Sequence, residues 1–205
     1  MSNAEFDVVI YGATGFTGRL VAEYLSREYG KTIAWAMAGR SEDKLKSVRD
    51  EIGAPADTPL VVADASDPDS LKAMAERAHA VITTVGPYQL YGEALVKACV
   101  EAGTDYVDLS GEPAWMHDII ANYSDKAKAS GARIVHSCGF DSVPFDLGVY
   151  YLQEHAKAKT GKPLSRIKGR VRAMKGTFSG GTAASFAETM KRVAAEPEVL
   201  NVLIN

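Results

Sequence analysis

Seven residues near the amino terminus, Gly12, Ala13, Thr14, Gly15, Phe16, Thr17 and Gly18, set three glycines at a spacing of three. Glycine is needed where the main chain takes positive φ or where a ligand's oxygens approach the backbone. A helix that starts there adds unpaired N–H groups and the positive end of its dipole. The chemistry that suits is the holding of a dinucleotide pyrophosphate. Further on, a dinucleotide site that prefers NAD usually has an acid for the ribose 2′-hydroxyl, but Ala38 is followed here by Gly39, Arg40 and Ser41. A guanidinium fork assisted by a hydroxyl suits a 2′-phosphate, so NADP(H) is favoured. NAD(H) stays open, because Arg40 stacked on the adenine would give no preference. Asp64 either accepts the adenine amino group or caps the turn towards Asp67.

Two more clusters stand where catalytic groups belong. In the first, Thr83 to Tyr88 (TTVGPY), Gly86 and Pro87 let a loop cross close to the cofactor, and Tyr88 and Tyr91 are candidates for a proton donor or a wall for the nicotinamide. Packing would explain either tyrosine equally well. The second is HSCGFDSVPFD from His136 to Asp146. Cys138 and Asp141 join Tyr88 as candidate catalytic side chains, while Cys138 and Gly139 can also serve a cofactor through their backbone N–H groups. Ser142 and Asp146 are read equally well as cap and first-turn acid of the following helix.

The elements that must position these residues alternate. Residues 7–11 (DVVIY) form a β-branched run, and from Phe16 the pattern turns helical, with Leu20, Val21, Tyr24 and Leu25 on one stripe before Gly30. Strands follow at 33–38, 60–63, 80–85, 106–109 and 133–136. Between them lie a helix capped by Ser41 and carrying Leu45, Val48 and Ile52, and a helix started by Asp67 and Pro68 with Leu71, Met74 and Ala78 inward. The remaining two are helices over 94–102 and 113–129. Six strands alternating with five helices predict an α/β fold, a doubly wound parallel sheet over residues 5–142. Beyond it, 145–157 reads as a helix and 167–175 alternates strictly, as a half-exposed antiparallel strand does. The remainder reads as a Gly-rich loop and one helix. Residues 143–205 thus read as the start of a second α/β domain with an antiparallel sheet, truncated, its other strands supplied by further chain or by a partner subunit. A homodimer through that domain is one expectation.

Composition excludes several classes. With 205 residues, 46% hydrophobic and 24% charged, the chain is neither disordered nor low-complexity. No apolar run reaches the roughly 18 residues of a membrane span, and the first residues lack a signal-peptide layout, so a cytoplasmic protein is expected. Cys99 and Cys138 form no CxxC, and His79, His117, His136 and His155 show no ligand spacing, so neither a disulfide framework nor a metal site is expected. A net charge of −3 gives no general attraction to nucleic acid. Residues 155–175 nevertheless hold eight Lys or Arg and no acid. They are either a solvated face or a dock for an anionic partner, such as an acyl-carrier domain, a phosphorylated thioester handle or a membrane surface. No aromatics interleave them as nucleic-acid binding requires.

GATGFTG, AGRS at 38–41, GPYQLYGEALVKACVEAGTDYVDLSGE from Gly86 to Glu112 and CGFDSVPFDLG from Cys138 to Gly148 together resemble the saccharopine dehydrogenase-like oxidoreductases. The likeness is strongest to the branch that includes the trans-acting enoyl reductases, and spans residues 5 to about 190. It implies a Rossmann domain, a second α/β domain inserted before a return to the first, and nicotinamide-dependent reduction of a C=C or C=N bond on a small or carrier-tethered substrate. It hands over no settled catalytic residue. Two other chemistries compete. A short-chain reductase would need YxxxK, and none of the nine tyrosines has lysine four residues later. A semialdehyde dehydrogenase would use Cys138 as an acylated nucleophile, favoured as thiolate by a local helix dipole, but no acyl-binding pattern surrounds HSCGFD. A module that binds NADP(H) as a sensor or scaffold without turnover is a third reading, since a fold does not establish catalysis.

Overall fold

The computed structural model describes residues 4–204. Six strands, β1 (Phe6–Tyr11), β2 (Trp35–Gly39), β3 (Leu60–Val62), β4 (Ala78–Thr83), β5 (Asp105–Asp108) and β6 (Ile134–Val135), form one sheet in the order β3-β2-β1-β4-β5-β6. Every neighbouring pair is parallel, with Val9 opposite Ala36 on one side and Val81 on the other. Parallel neighbours need crossovers, and α1 (Phe16–Tyr29), α2 (Glu42–Glu51), α3 (Pro68–Ala75), α4 (Tyr88–Ala102) and α5 (Pro113–Ser130) supply them.

Side chains alternate across the sheet and sort the core into two layers. Ile10 and Met37 point to one face, where they meet Ala22, Leu25, Leu45 and Val48 of α1 and α2. Val9, Tyr11, Ala36 and Val81 point to the other, towards Leu71, Met74, Leu95, Val96 and Ile119 of α3, α4 and α5. The doubly wound α/β sheet is therefore as the alternation predicts. Two of the expected caps are present: Ser41 Oγ accepts from Lys44 N at 3.4 Å, and the Asp67 carboxylate accepts from the N–H groups of Asp69 and Ser70, whereas Ser142 stands at the N-cap position of the helix after it without a side-chain cap bond.

Four details differ from the sequence reading. The inward stripe of α1 is Gly18, Ala22 and Leu25, whereas Leu20 and Tyr24 are about half exposed. Small residues face the sheet because α1 must pass against the glycine turn. Ala78 is not the last inward residue of α3; it opens β4 opposite Phe6. The fourth helix begins at Tyr88, six residues before the expected Ala94, because a carboxylate from elsewhere receives its first N–H groups.

The fourth difference is the largest. After α6 (Val143–Thr160), residues 167–175 form no strand, and this segment is largely exposed. Strict alternation gives a strand only where a neighbouring ladder takes its N–H and C=O groups, and no described strand pairs with this segment. The expected antiparallel sheet is absent among the described residues. Instead α7 (Gly180–Ala195) and α8 (Val199–Ile204) turn back onto α4 and α5. No helix among the described residues is long and apolar enough to cross a membrane.

Candidate functional site

The strand order reverses between β1 and β4, and in a doubly wound sheet the crevice beyond the strands' carboxyl ends opens there. A cleft of about 550 Å³ occupies that position. It draws Tyr11 and Gly12 from the end of β1, Arg40 from β2, Asp64 to Ser66 from β3, and Thr84, Val85 and Gly86 from β4.

Its floor is the glycine turn. Gly12 has φ +90°, and a Cβ there would lie 2.7 Å from Val85 Cγ2 and 2.8 Å from Thr84 Oγ1. Gly18 is tighter: a Cβ would meet Gly12 O at 2.1 Å, so only glycine lets α1 lie this close to the first strand. Gly15 has a different role. It precedes α1, no side chain caps the helix, and a Cβ there has only Gly12 O nearby at 3.3 Å. Gly15 and Thr14 line the cleft, which is the cradle a pyrophosphate requires: glycine backbone beside an uncapped helix start. Phe16 and Thr17, also expected to bind cofactor, do not line it. Phe16 contributes the first residue of α1 while its ring is exposed.

At the far end, Arg40 is exposed on the cleft wall, and Ser41 beside it is committed to capping α2. Asp64 accepts from Ser66 N and Ser66 Oγ, each at 2.8 Å, so of its two expected roles the turn-capping one is in place. Those two bonds also hold its pKa below the ordinary value, the backbone N–H first and the hydroxyl second. Buried Tyr11 also lines this end, its phenol pushed up to about 12 by burial and then by the charge of Asp64. A guanidinium at this end fits a 2′-phosphate, and the cleft as a whole fits NADP(H).

The opposite rim is Gly86, Leu90 and Tyr91. Pro87 starts α4 and is buried, so it braces the turn rather than facing the cleft. Tyr88 is a correction to the sequence reading. It is buried, its hydroxyl donates to Thr83 O at 3.2 Å and accepts from Leu109 N at 3.4 Å, and burial pushes its phenol well above the ordinary value. A phenol turned into the protein and held protonated is packing. Tyr91 is the tyrosine of the pair that lines the cleft.

The HSCGFD loop is not brought to this wall. Neither Cys138, Gly139 nor Asp141 lines the cleft. Cys138 is exposed, its N–H donates to Asp108 O at 2.6 Å, and its thiol is raised above the ordinary value by burial and then by the Asp108 charge. A helix dipole would have lowered it, so the surroundings of Cys138 do not favour a thiolate. The loop instead hangs on Asp108, whose buried carboxylate accepts from Ser110 N, Ser137 N and Tyr106 OH and lies 2.7 Å from His136 Nδ1.

Comparison with known proteins follows the same architecture. The saccharopine dehydrogenase NADP-binding domain matches residues 8–135, more than half of the chain. The chain belongs to this family. Within the saccharopine dehydrogenase family it is 46% identical over 196 residues to the trans-acting enoyl reductase of Mycobacterium bovis, and 45% identical over 208 residues to that of Mycobacterium ulcerans. A Mycobacterium tuberculosis protein provisionally named a trans-acting enoyl reductase is 51% identical over 195 residues. These alignments cover 95% to 99% of this chain but 46% to 49% of the relatives, so the chain spans about half the length of the curated relatives it matches. Among solved structures, saccharopine dehydrogenase (L-Glu forming) of Saccharomyces cerevisiae aligns with a TM-score of 0.59 at 17% identity, over 75% of this chain and 32% of that one. Citrobacter triphenylmethane reductase complexed with NADP(H) aligns with a TM-score of 0.50 at 18% identity, over 76% and 55%. At those identities the likeness is one of fold. The saccharopine dehydrogenase domain therefore binds NADP(H), and the Arg40 guanidinium lines the β2 end of its cleft.

Sequence reasoning passed over Glu112 and Asp108, the two buried acids of DLSGE. Their signal was present: one carboxylate at the last residue of β5 and one four residues on, at the sheet's carboxyl edge, where burial without partners would be costly.

Proposed function

We propose that this chain is the cofactor-binding part of an NADPH-dependent oxidoreductase that reduces the C=C bond of an acyl substrate carried on a thioester. The observation that carries the reading is the cleft itself, with an open glycine cradle at Gly15 and the Arg40 guanidinium at its other end. The relatives named trans-acting enoyl reductases supply the reaction class. NADPH, when bound, supplies a hydride for the β-carbon of the acyl group, and a proton must reach the α-carbon. The chain's own residues do the rest. The N–H groups of Gly12, Ala13 and Gly15 are already bonded to Ala38 O and Gly12 O, so the turn offers the pyrophosphate an open backbone face at Thr14 and Gly15 before the uncapped start of α1, and Arg40 holds the 2′-phosphate. Gly86, Leu90 and Tyr91 border the end left for the nicotinamide and the substrate. Tyr91 is the candidate proton donor, being the tyrosine that faces the cleft.

Residues 143–205 open the substrate-facing part. There the basic run from Lys157 to Lys175 is exposed, and among the described residues only Lys157 of its eight cations has a carboxylate within ion-pair distance, Glu154 at 2.7 Å. It suits an anionic carrier bearing the acyl chain. The test is NADPH oxidation, followed at the reduced-nicotinamide absorbance, with an enoyl thioester and with a cyclic imine. Turnover of the thioester alone supports the reading; turnover of the imine alone replaces C=C by C=N, and tight NADPH binding without turnover of either, in a protein spanning the full length of the relatives, points to a sensor.

A further inference from the structure

Glu112 stands behind the cleft and shares a wall with it. The helix α4 begins at Tyr88 with Pro87 at its N-cap, and no capping side chain of its own. Its first N–H groups would be orphaned, and the positive end of its dipole unopposed. The carboxylate of Glu112, 2% exposed, answers both: Oε1 accepts from Tyr88 N at 2.8 Å and Oε2 from Gln89 N at 3.0 Å. The same Oε1 accepts from Ser185 Oγ of α7, also at 2.8 Å.

Ser185 is close to the cofactor turn itself. A Cβ on Gly86 would lie 3.7 Å from Ser185 Oγ and 3.5 Å from the Tyr88 ring, so Gly86 faces the cleft on one side and is backed by α7 and Tyr88 on the other. The seat of α7 is polar. Ser185, Thr189 and Arg192 fall on one face at helical spacing and reach Glu112, Gln89 and Asp118, at 2.8, 3.4 and 2.6 Å. No residue of α7 is buried. A helix held by a few hydrogen bonds and little apolar burial detaches easily, so its position responds to small changes at its contacts.

We propose that Glu112 is a positioning residue that fixes the Gly86–Tyr88 turn at the cofactor cleft and ties α7 to it, so that seating of α7 and occupancy of the cleft are coupled. This rests on the reading of the cleft as the cofactor site. The physical chain is short. One carboxylate oxygen serves both α4 and α7, so the Ser185 bond helps fix the orientation of the carboxylate; without it the carboxylate is freer to turn on the Tyr88 and Gln89 N–H groups, and the turn that borders the cleft is less well held. Coupling of this kind is reciprocal: a ligand that steadies Gly86 must also steady α7.

Amide hydrogen exchange on the full chain tests it, with NADPH affinity measured in parallel. Ser185→Ala removes the α7 hydroxyl and leaves the Glu112 carboxylate on both α4 amides, so it avoids the unfolding that Glu112→Gln risks. The expected result is exchange faster by about three- to tenfold, the scale of one hydrogen bond, across Gly180–Ala195 and also at the amides of Tyr88 and Gln89. NADPH affinity falls by a similar factor, and NADPH slows exchange in α7 of the unsubstituted protein. Faster exchange confined to α7, with Tyr88, Gln89 and NADPH affinity untouched, overturns the coupling. If the unsubstituted protein binds no NADPH, the cofactor reading of the cleft falls instead, and exchange at Tyr88 and Gln89 in Ser185→Ala still decides whether Glu112 links α7 to the turn.

Discussion

In the sheet region, from Phe6 to Val135, Val9, Ile10, Met37 and Val81 are fully buried, and each strand has its ladder on at least one side. From Phe140 onward, Phe140, Met174 and Phe178 are at least 80% exposed, and the alternating segment 167–175 has no ladder. The two regions have similar sequence ingredients, β-branched runs, glycine turns and capped helices. What separates them is partnership. A helix closes its hydrogen bonds within itself, so α6 and α7 form from local signals, but a strand needs a neighbour and the carboxyl-terminal region presents none.

The strongest way to break that comparison is to add the same kind of atom to each region. Gly18→Val drives a Cβ to within 2.1 Å of the Gly12 carbonyl, and is expected to lower stability by about 3 kcal/mol and to remove NADPH binding. Gly169→Ala has its nearest neighbour at 4.0 Å, in Phe145, and is expected to stay within about 0.5 kcal/mol. Denaturant unfolding of both variants measures the contrast; equal losses would show that the carboxyl-terminal region is packed as tightly as the sheet.

A smaller effect sharpens the cleft. Arg40→Ala should weaken NADPH binding by about 1 to 3 kcal/mol and leave NADH nearly unchanged, as calorimetry of the two cofactors would show. Equal losses would mean that Arg40 stacks on the base and does not read the phosphate. Smaller again is Tyr88→Phe, which removes bonds to Thr83 O and Leu109 N and should cost about 1 kcal/mol of stability with the chemical step unaltered. A large fall in turnover at unchanged stability would return Tyr88 to the proton-donor role.

The least effect is expected at Cys138. Because burial and Asp108 raise its thiol, less thiolate is present at any given pH than for a free cysteine. Alkylation by iodoacetamide should therefore lag behind free cysteine near pH 8 and approach it only well above the ordinary thiol range, which is about 8.5. Cofactor-protected alkylation that is faster than free cysteine at pH 7 would revive the nucleophile.

The sequence by itself determined the parallel sheet, its crossovers and the glycine cradle, because these rest on local rules. Apolar runs alternate with helical stripes, Ser41 and Asp67 cap where caps belong, and three glycines mark a strand-to-helix turn. Tertiary structure decided matters that depend on direction and company. Tyr88 and Tyr91 are three residues apart on one helix, a spacing that puts them side by side and cannot tell them apart, yet Tyr88 is buried with its hydroxyl on Thr83 O while Tyr91 lines the cleft. The HSCGFD loop leaves the correct edge of the sheet, but Asp108 pulls its backbone towards β5 and away from the cleft wall. Glu112 drew no notice in the chain because nothing near it in sequence needs a carboxylate. Its partners, the start of α4 and Ser185 on α7, lie 24 and 73 residues away, and a charge buried against partners that distant is visible only once the chain has folded.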